Sequence, residues 1–172
     1  LKDNNLSKID IAGVGLGLPG PVDTKRGIVH FMPNISGWKE VGLKSILEKR
    51  LGLAIFLDND ANLMSLAESR RGAARGLKNV VCLTLGTGVG GGLIIEGKLY
   101  RGSSFSAGEI GHIPLNEEGP RCNCKGEGCL EAYIGNKRIL KDARAQFKRN
   151  VSLEELSQLV NKKNKKAIKL WS

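Results

Sequence analysis

The stretch LAIFLDNDANLMSLAESRRG, residues 53–72, decides the fold class. Leu53 to Leu57 is a short apolar run of the kind a buried strand uses, and Asp58-Asn59-Asp60 follows it directly. Ala61 to Arg71 is then rich in good helix formers and closes at Gly72. A strand running through a polar corner into a helix is half of an α/β unit. Open α/β sheets bind ligands at the carboxyl ends of their strands, so Asp58 to Asp60 form the first candidate site. Asp60 also has an ordinary reading, because a carboxylate just before a helix can serve as its N-cap.

Working upstream, Val41 to Leu51 places Leu43, Ile46, Leu47 and Leu51 on one helical face, and Gly52 ends it. Lys8 to Leu18 (KIDIAGVGLGL) alternates branched apolar residues with glycines and stops at Pro19-Gly20-Pro21, which predicts a buried strand ending in a loop. Working downstream, a second unit begins near Asn79, giving a division into residues 1–78 and 79–172. Val80 to Leu85 predicts a strand, Gly86 to Gly92 a glycine-rich turn, and Leu93 to Ile95 the returning strand. The turn formally contains GxGxxG at Gly86, Gly88 and Gly91, but a dinucleotide site needs a helix next, and another strand follows instead. A hairpin whose N–H groups and Thr87 hydroxyl face a phosphate fits better, alongside the alternative of a structural turn with no ligand.

The chain has 172 residues, 41% of them hydrophobic and 26% charged, enough for one good-sized core or two small lobes. No apolar run approaches the roughly 20 residues of a membrane span. Residues 1–30 also lack the features of a signal peptide, so a cytoplasmic protein is expected. The formal charge is +10, and eleven Lys/Arg against three acids lie between Lys137 and Lys169. That segment carries Ile139, Leu140, Ala143 and Phe147, then Leu153, Leu156, Leu159 and Val160, at helical spacing, which predicts a pair of amphipathic helices with solvated basic faces. With few aromatic side chains there to stack on bases, nucleic acid is not the expected partner.

Cys122, Cys124 and Cys129 lie within eight residues, and His112 lies ten residues before the first of them. Three soft thiolates from one tight loop with an imidazole as the fourth corner match what closed tetrahedral zinc requires. Such a site has no open position, so the metal reads as structural. Buried free thiols, or a disulfide between two of the three, are the alternatives. Cys82 sits in an apolar strand and reads as a small core residue.

Several of these runs together resemble the ROK family. They are Leu83-Thr-Leu-Gly86-Thr-Gly88-Val-Gly90, Gly102, Gly108 with Glu109-Ile-Gly111-His112, Cys122-Asn-Cys124 to Gly128-Cys129-Leu-Glu131, and Asp58-Asn59-Asp60-Ala61-Asn62. Pro19-Gly20-Pro21-Val22-Asp23 and Pro33-Asn34-Ile35 also match. The resemblance implies the two-lobed actin-like ATPase (ribonuclease H-like) fold of a sugar kinase, here incomplete, with ATP, Mg²⁺ and a structural Zn²⁺. It implies Asp60 as general base toward a sugar hydroxyl, and Asn34, Asn59, Asp60, Glu109, His112 and Glu131 as sugar-binding residues. Gly86, Thr87, Gly88 and Gly90 would meet a nucleotide phosphate, and His112, Cys122, Cys124 and Cys129 would bind the metal. Glucose is the expected hexose, homo-oligomers the expected assembly, and a sugar-sensing repressor, with nucleic acid as partner, the alternative function. Two departures stand out: Lys125 where the family usually has glycine, and Gly91 where it usually has an apolar residue. The family's first phosphate loop should precede residue 1 and its adenosine-binding segment should follow residue 172, so the chain is expected to be truncated at both ends and inactive alone.

Overall fold

The computed structural model describes residues 4–33 and 35–171, with the side chain of Trp171 set aside. Asn34, one of the proposed sugar ligands, lies outside the described residues. The chain divides into two compact units. The first runs to Cys82 and resumes over Gly92–Gly108, and the second takes Leu83–Gly91 and the chain from Glu109 onward. The first unit therefore runs past the 78/79 position at which the sequence was divided and also takes up residues 92–108.

In the first unit, β1 (Val14–Leu18) pairs in parallel with β5 (Ile55–Asn59), in register from Val14 opposite Ile55 to Leu18 opposite Asn59. Their core joins Val22, Ile55 and Leu57 with Val14, Leu16, Leu18, Leu43 and Leu47. Leu43 and Leu47 come from α1 (Leu43–Leu51), the helix read from the apolar spacing. The long strand expected over residues 8–18 is shorter. Lys8–Asp10 is a 3-10 turn, closed by Asp10 accepting from the Ser7 amide and hydroxyl at 2.8 and 2.7 Å. A local side chain to backbone ring of this kind competes with strand pairing and wins at a strand's start.

Three short strands, β2 (Val22–Asp23), β3 (Ile28–Phe31) and β4 (Lys39–Val41), form an antiparallel meander between β1 and α1. The turn between β2 and β3 is organised by Asp23, whose Oδ1 accepts from the amides of Lys25 and Arg26 at 3.0 and 2.9 Å.

Helix α2 (Asp60–Arg71) follows β5 without a break. A third sheet has the order β6 (Val80–Leu85), β7 (Val89–Ile95), β8 (Lys98–Tyr100). β6 has the bounds read from the sequence, but β7 begins at Val89 and absorbs Gly90, Gly91 and Gly92, so the turn itself is only Gly86 to Gly88. Gly92 shows why glycine suits a strand here: a Cβ would lie 2.2 Å from Ser65 Oγ of α2, so the helix packs against bare backbone. Phe56 of β5 is 66% exposed, and on β6 Val81 and Leu85 are 63% and 66% exposed.

The second unit ends in helices α3 (Leu130–Ile134), α4 (Asn136–Phe147), α5 (Leu153–Asn161) and α6 (Lys165–Trp171). Ala143, Val151, Leu156 and Ala167 are buried together, with Ile139, Phe147, Leu159, Val160 and Leu170 around them. The basic segment is thus three packed helices rather than the expected pair. The lysine-rich run at 162–166 conceals the start of the third, where Asn164 Oδ1 accepts from the amides of Lys166 and Ala167 at 3.0 and 3.2 Å. Among the described residues no helix is long and apolar enough to cross a membrane.

Candidate functional site

In the first unit, the end of β5 delivers three polar side chains to three different environments. Asp58 is buried, and its Oδ2 accepts from Arg101 Nε and Nη2 at 3.0 and 2.6 Å. Its Oδ1 accepts from the Asn59 amide at 2.9 Å and from Asn62 Nδ2 at 3.4 Å. The sequence carried no signal for Arg101, which reaches Asp58 from 43 residues away.

Asn59 caps α2: its Oδ1 accepts from the Asn62 amide at 3.1 Å, while its Nδ2 donates to the carbonyl of Gly20 at 3.2 Å. The Pro19–Pro21 loop is thereby tied to the start of the helix. This corrects the ordinary reading of Asp60, which is not the cap but the first helical residue. Asp60 is exposed, and Oδ1 meets only the amide of Ala61, at 2.9 Å. An exposed carboxylate with one oxygen free of protein partners among the described residues can accept a proton from a bound alcohol.

In the second unit, the metal candidates converge. One ligand atom each from His112, Cys122, Cys124 and Cys129 all lie within 4.8 Å of one another. Cys122 Sγ is 3.6 Å from His112 Nδ1, and Cys124 Sγ is 3.7 Å from Cys129 Sγ. Tetrahedral zinc with Zn–S near 2.3 Å and Zn–N near 2.0–2.1 Å separates two thiolates by about 3.8 Å, and a thiolate from an imidazole nitrogen by about 3.6 Å. The donor set and its spacing therefore fit the ion. All four cysteines are free, which disposes of the disulfide, and Cys82 stays in β6, outside the cluster. Burial pushes the Cys129 thiol up to about 12, with the Cys124 and Cys122 sulfurs adding to it, and burial also raises Cys122. A hydrogen bond from the Gly126 backbone lowers Cys124. A divalent cation held by these residues would let thiols so crowded become thiolates together.

The loop around these sulfurs is itself a small hairpin. The Cys122 amide donates to Gly126 O at 2.8 Å, and the Lys125 amide to Cys122 O at 3.0 Å. Lys125 sits at φ 75°, a left-handed conformation that favours glycine. His112 Nδ1 faces Cys122, and its Nε2 lies 3.8 Å from Glu109 Oε2, so the two ring nitrogens address different neighbours. Glu109, at the start of the 3-10 turn Ile110–His112, is exposed.

The glycine turn is held from within the same unit. The Gly86 amide donates to Gly88 O at 2.9 Å, the Asn136 amide to Gly86 O at 3.0 Å, and the Val89 amide to Glu131 Oε2 at 2.9 Å. A Cβ on Gly88 would fall 2.1 Å from that carboxylate oxygen, so this position admits only glycine while Glu131 stands where it does. Thr87 and Gly88 contribute the turn's amides not engaged in this way. Strand β7 follows, as the sequence required in setting aside a dinucleotide fold.

The model of the ROK family matches residues 1–172. This chain belongs to the ROK family. It is 44% identical over 136 residues to a glucokinase of Thermotoga maritima, covering 79% of this chain and 43% of that protein. It is 36% identical over 155 residues to a xylose repressor of Bacillus spizizenii, covering 90% of this chain and 40% of that one. Among solved structures, a ROK family glucokinase from Streptomyces griseus in complex with glucose and AMPPNP superposes with a TM-score of 0.83 at 34% identity, over 94% of this chain and 57% of that chain. The chain thus spans less than half the length of these two curated relatives, and it carries part of the actin-like ATPase fold that the ROK kinases share.

Proposed function

We propose that this ROK chain is part of an ATP-dependent hexose kinase, with glucose as the favoured acceptor. The observation that carries the reading is Asp60, an exposed carboxylate relieved of helix capping by Asn59 and held beside the buried Asp58–Arg101 pair. The likeness to proteins named glucokinase supports it.

In this reading one sugar hydroxyl attacks the γ-phosphorus of ATP, its proton passes to Asp60, and the bond to the β-phosphate oxygen breaks to release ADP. Glu109, His112 and Glu131 hold sugar hydroxyls, as Asn34 and Asn59 also would. The Asn59 side-chain amide already serves the chain at both ends, donating to the Gly20 carbonyl and accepting from the Asn62 amide. Gly86, Thr87 and Gly88 of the turn, with Gly90 near the start of β7, are offered to a nucleotide phosphate, and Mg²⁺ would accompany the nucleotide. Zinc held by His112, Cys122, Cys124 and Cys129 supplies cross-linking of the loop and no chemistry on the substrate.

The xylose repressor relatives favour a second reading, in which the same sugar residues sense rather than phosphorylate. A coupled ADP-release assay on the whole protein with glucose, mannose, fructose and N-acetylated hexoses separates the two. Turnover with one of them, lost in Asp60→Asn, is the expected result. Sugar binding without any ADP release would sink the kinase reading.

A further inference from the structure

Glu131 touches both functional features of the second unit. Its Oε2 accepts from the Val89 amide at 2.9 Å, at the end of the glycine turn, while its Oε1 lies 3.7 Å from Cys122 Sγ. It belongs to α3, a five-residue helix whose position is set by the metal loop. Cys129 is the residue from which α3 starts, and the Leu130 amide donates to Ile113 O at 3.0 Å, next to His112. Beyond Gly135, which ends α3, the amide of Asn136 at the start of α4 donates to Gly86 O at 3.0 Å. A shift of α3 by an ångström would therefore move both hydrogen bonds that shape the turn, since such bonds weaken steeply outside their narrow range.

We propose that Glu131 is a positioning residue through which the occupied metal loop holds the glycine turn in one shape for phosphate. Ligation fixes Cys122, Cys129 and His112, these fix the first turn of α3, and Glu131 then fixes the Val89 amide. Gly88 is the complement of this arrangement, because only the absence of a side chain there lets the carboxylate reach across. The proposal rests on the kinase reading in one respect, that the turn receives a nucleotide phosphate. It adds that Glu131 serves the nucleotide side of the reaction as well as the sugar side.

The test is amide hydrogen exchange of the uniformly ¹⁵N-labelled, zinc-loaded full chain, with the amides of α5 and α6 as the control for folding. Glu131→Ala should speed exchange at Val89 by about 10- to 100-fold, the weight of one hydrogen bond to a charged acceptor, with α5 and α6 unchanged. Removal of the metal by a chelator should speed Val89 by a similar factor. Val89 exchange within about twofold of wild type in Glu131→Ala overturns the proposal, and acceleration in that variant but none on metal removal overturns its metal half. If Glu131→Ala also loses protection in α5 and α6, Glu131→Met, which keeps the length of the stem and removes both acceptor oxygens, is read by the same criterion. In the active whole protein, Glu131→Met should raise the KM for nucleotide as well as that for sugar. A rise in the sugar's KM alone would reduce Glu131 to a sugar ligand. Absence of any kinase activity would count against the kinase reading and leave the exchange result standing.

Discussion

Replacing Arg101 with Met tests how the start of α2 is held. The Asp58 side chain is 6% exposed and that of Arg101 is 31% exposed. The substitution keeps an apolar stem and removes both donors from Asp58 Oδ2, leaving a buried carboxylate served only on Oδ1. Breaking a buried ion pair typically costs about 3–5 kcal/mol because of the charge left behind. Water at the partly exposed guanidinium screens some of the original attraction. We therefore expect a loss of about 2–3 kcal/mol, which for a domain of this size lowers Tm by roughly 5–10 °C. Calorimetry on the whole protein gives the number. Asp58→Asn in the Arg101→Met background should recover most of it, since the amide keeps an oxygen for the Asn59 amide and carries no charge to strand. A single variant melting within about 2 °C of wild type, or a double variant whose losses simply add, would refute the argument that this pair is what holds Asp58.

The Asp60→Asn variant of the whole protein should lose about 10²–10⁴-fold in turnover while binding sugar nearly as well, because a general base acts in the transition state; turnover within twofold of wild type would return Asp60 to a surface helix residue. Purified protein should carry about one zinc per chain by elemental analysis, and Cys124→Ala should lower that content; normal folding of a metal-free protein would remove the site. Zinc should also leave as pH falls, since protons compete for the His112 nitrogen and the three sulfurs; metal content that stays constant to pH 4 would contradict ligation by this set. Lys125→Gly should stabilise the metal loop by about 1 kcal/mol, because Lys125 bears a left-handed backbone that glycine adopts without strain; a lower Tm for that variant would show that the lysine side chain contributes more than its backbone costs.

The metal tetrad and the β5–α2 corner could be read in the sequence because their partners lie close along the chain. A loop of eight residues brings three cysteines together wherever it is placed, and an apolar run followed by helix formers bends at the polar residues between them. The β2–β4 meander was not legible, since strands of two to four residues with side chains such as Lys39 and Glu40 show no alternation. Gly90 to Gly92 looked like turn residues, and only the approach of Ser65 explains why a strand contains glycine there. Asp60 looked like a cap until the backbone showed the helix starting one residue earlier.

By itself, then, the sequence determined the α/β character, the resemblance to the family, the donor set of the candidate metal site and the candidate base, all carried by residue types at short spacings. Tertiary structure alone decided that Arg101 neutralises Asp58 from 43 residues away and that Glu131 grips the Val89 amide from 42 residues away. Those pairings follow from how the strands and helices pack against one another, and no local run of residues encodes a separation that only the closed chain brings within 3 Å.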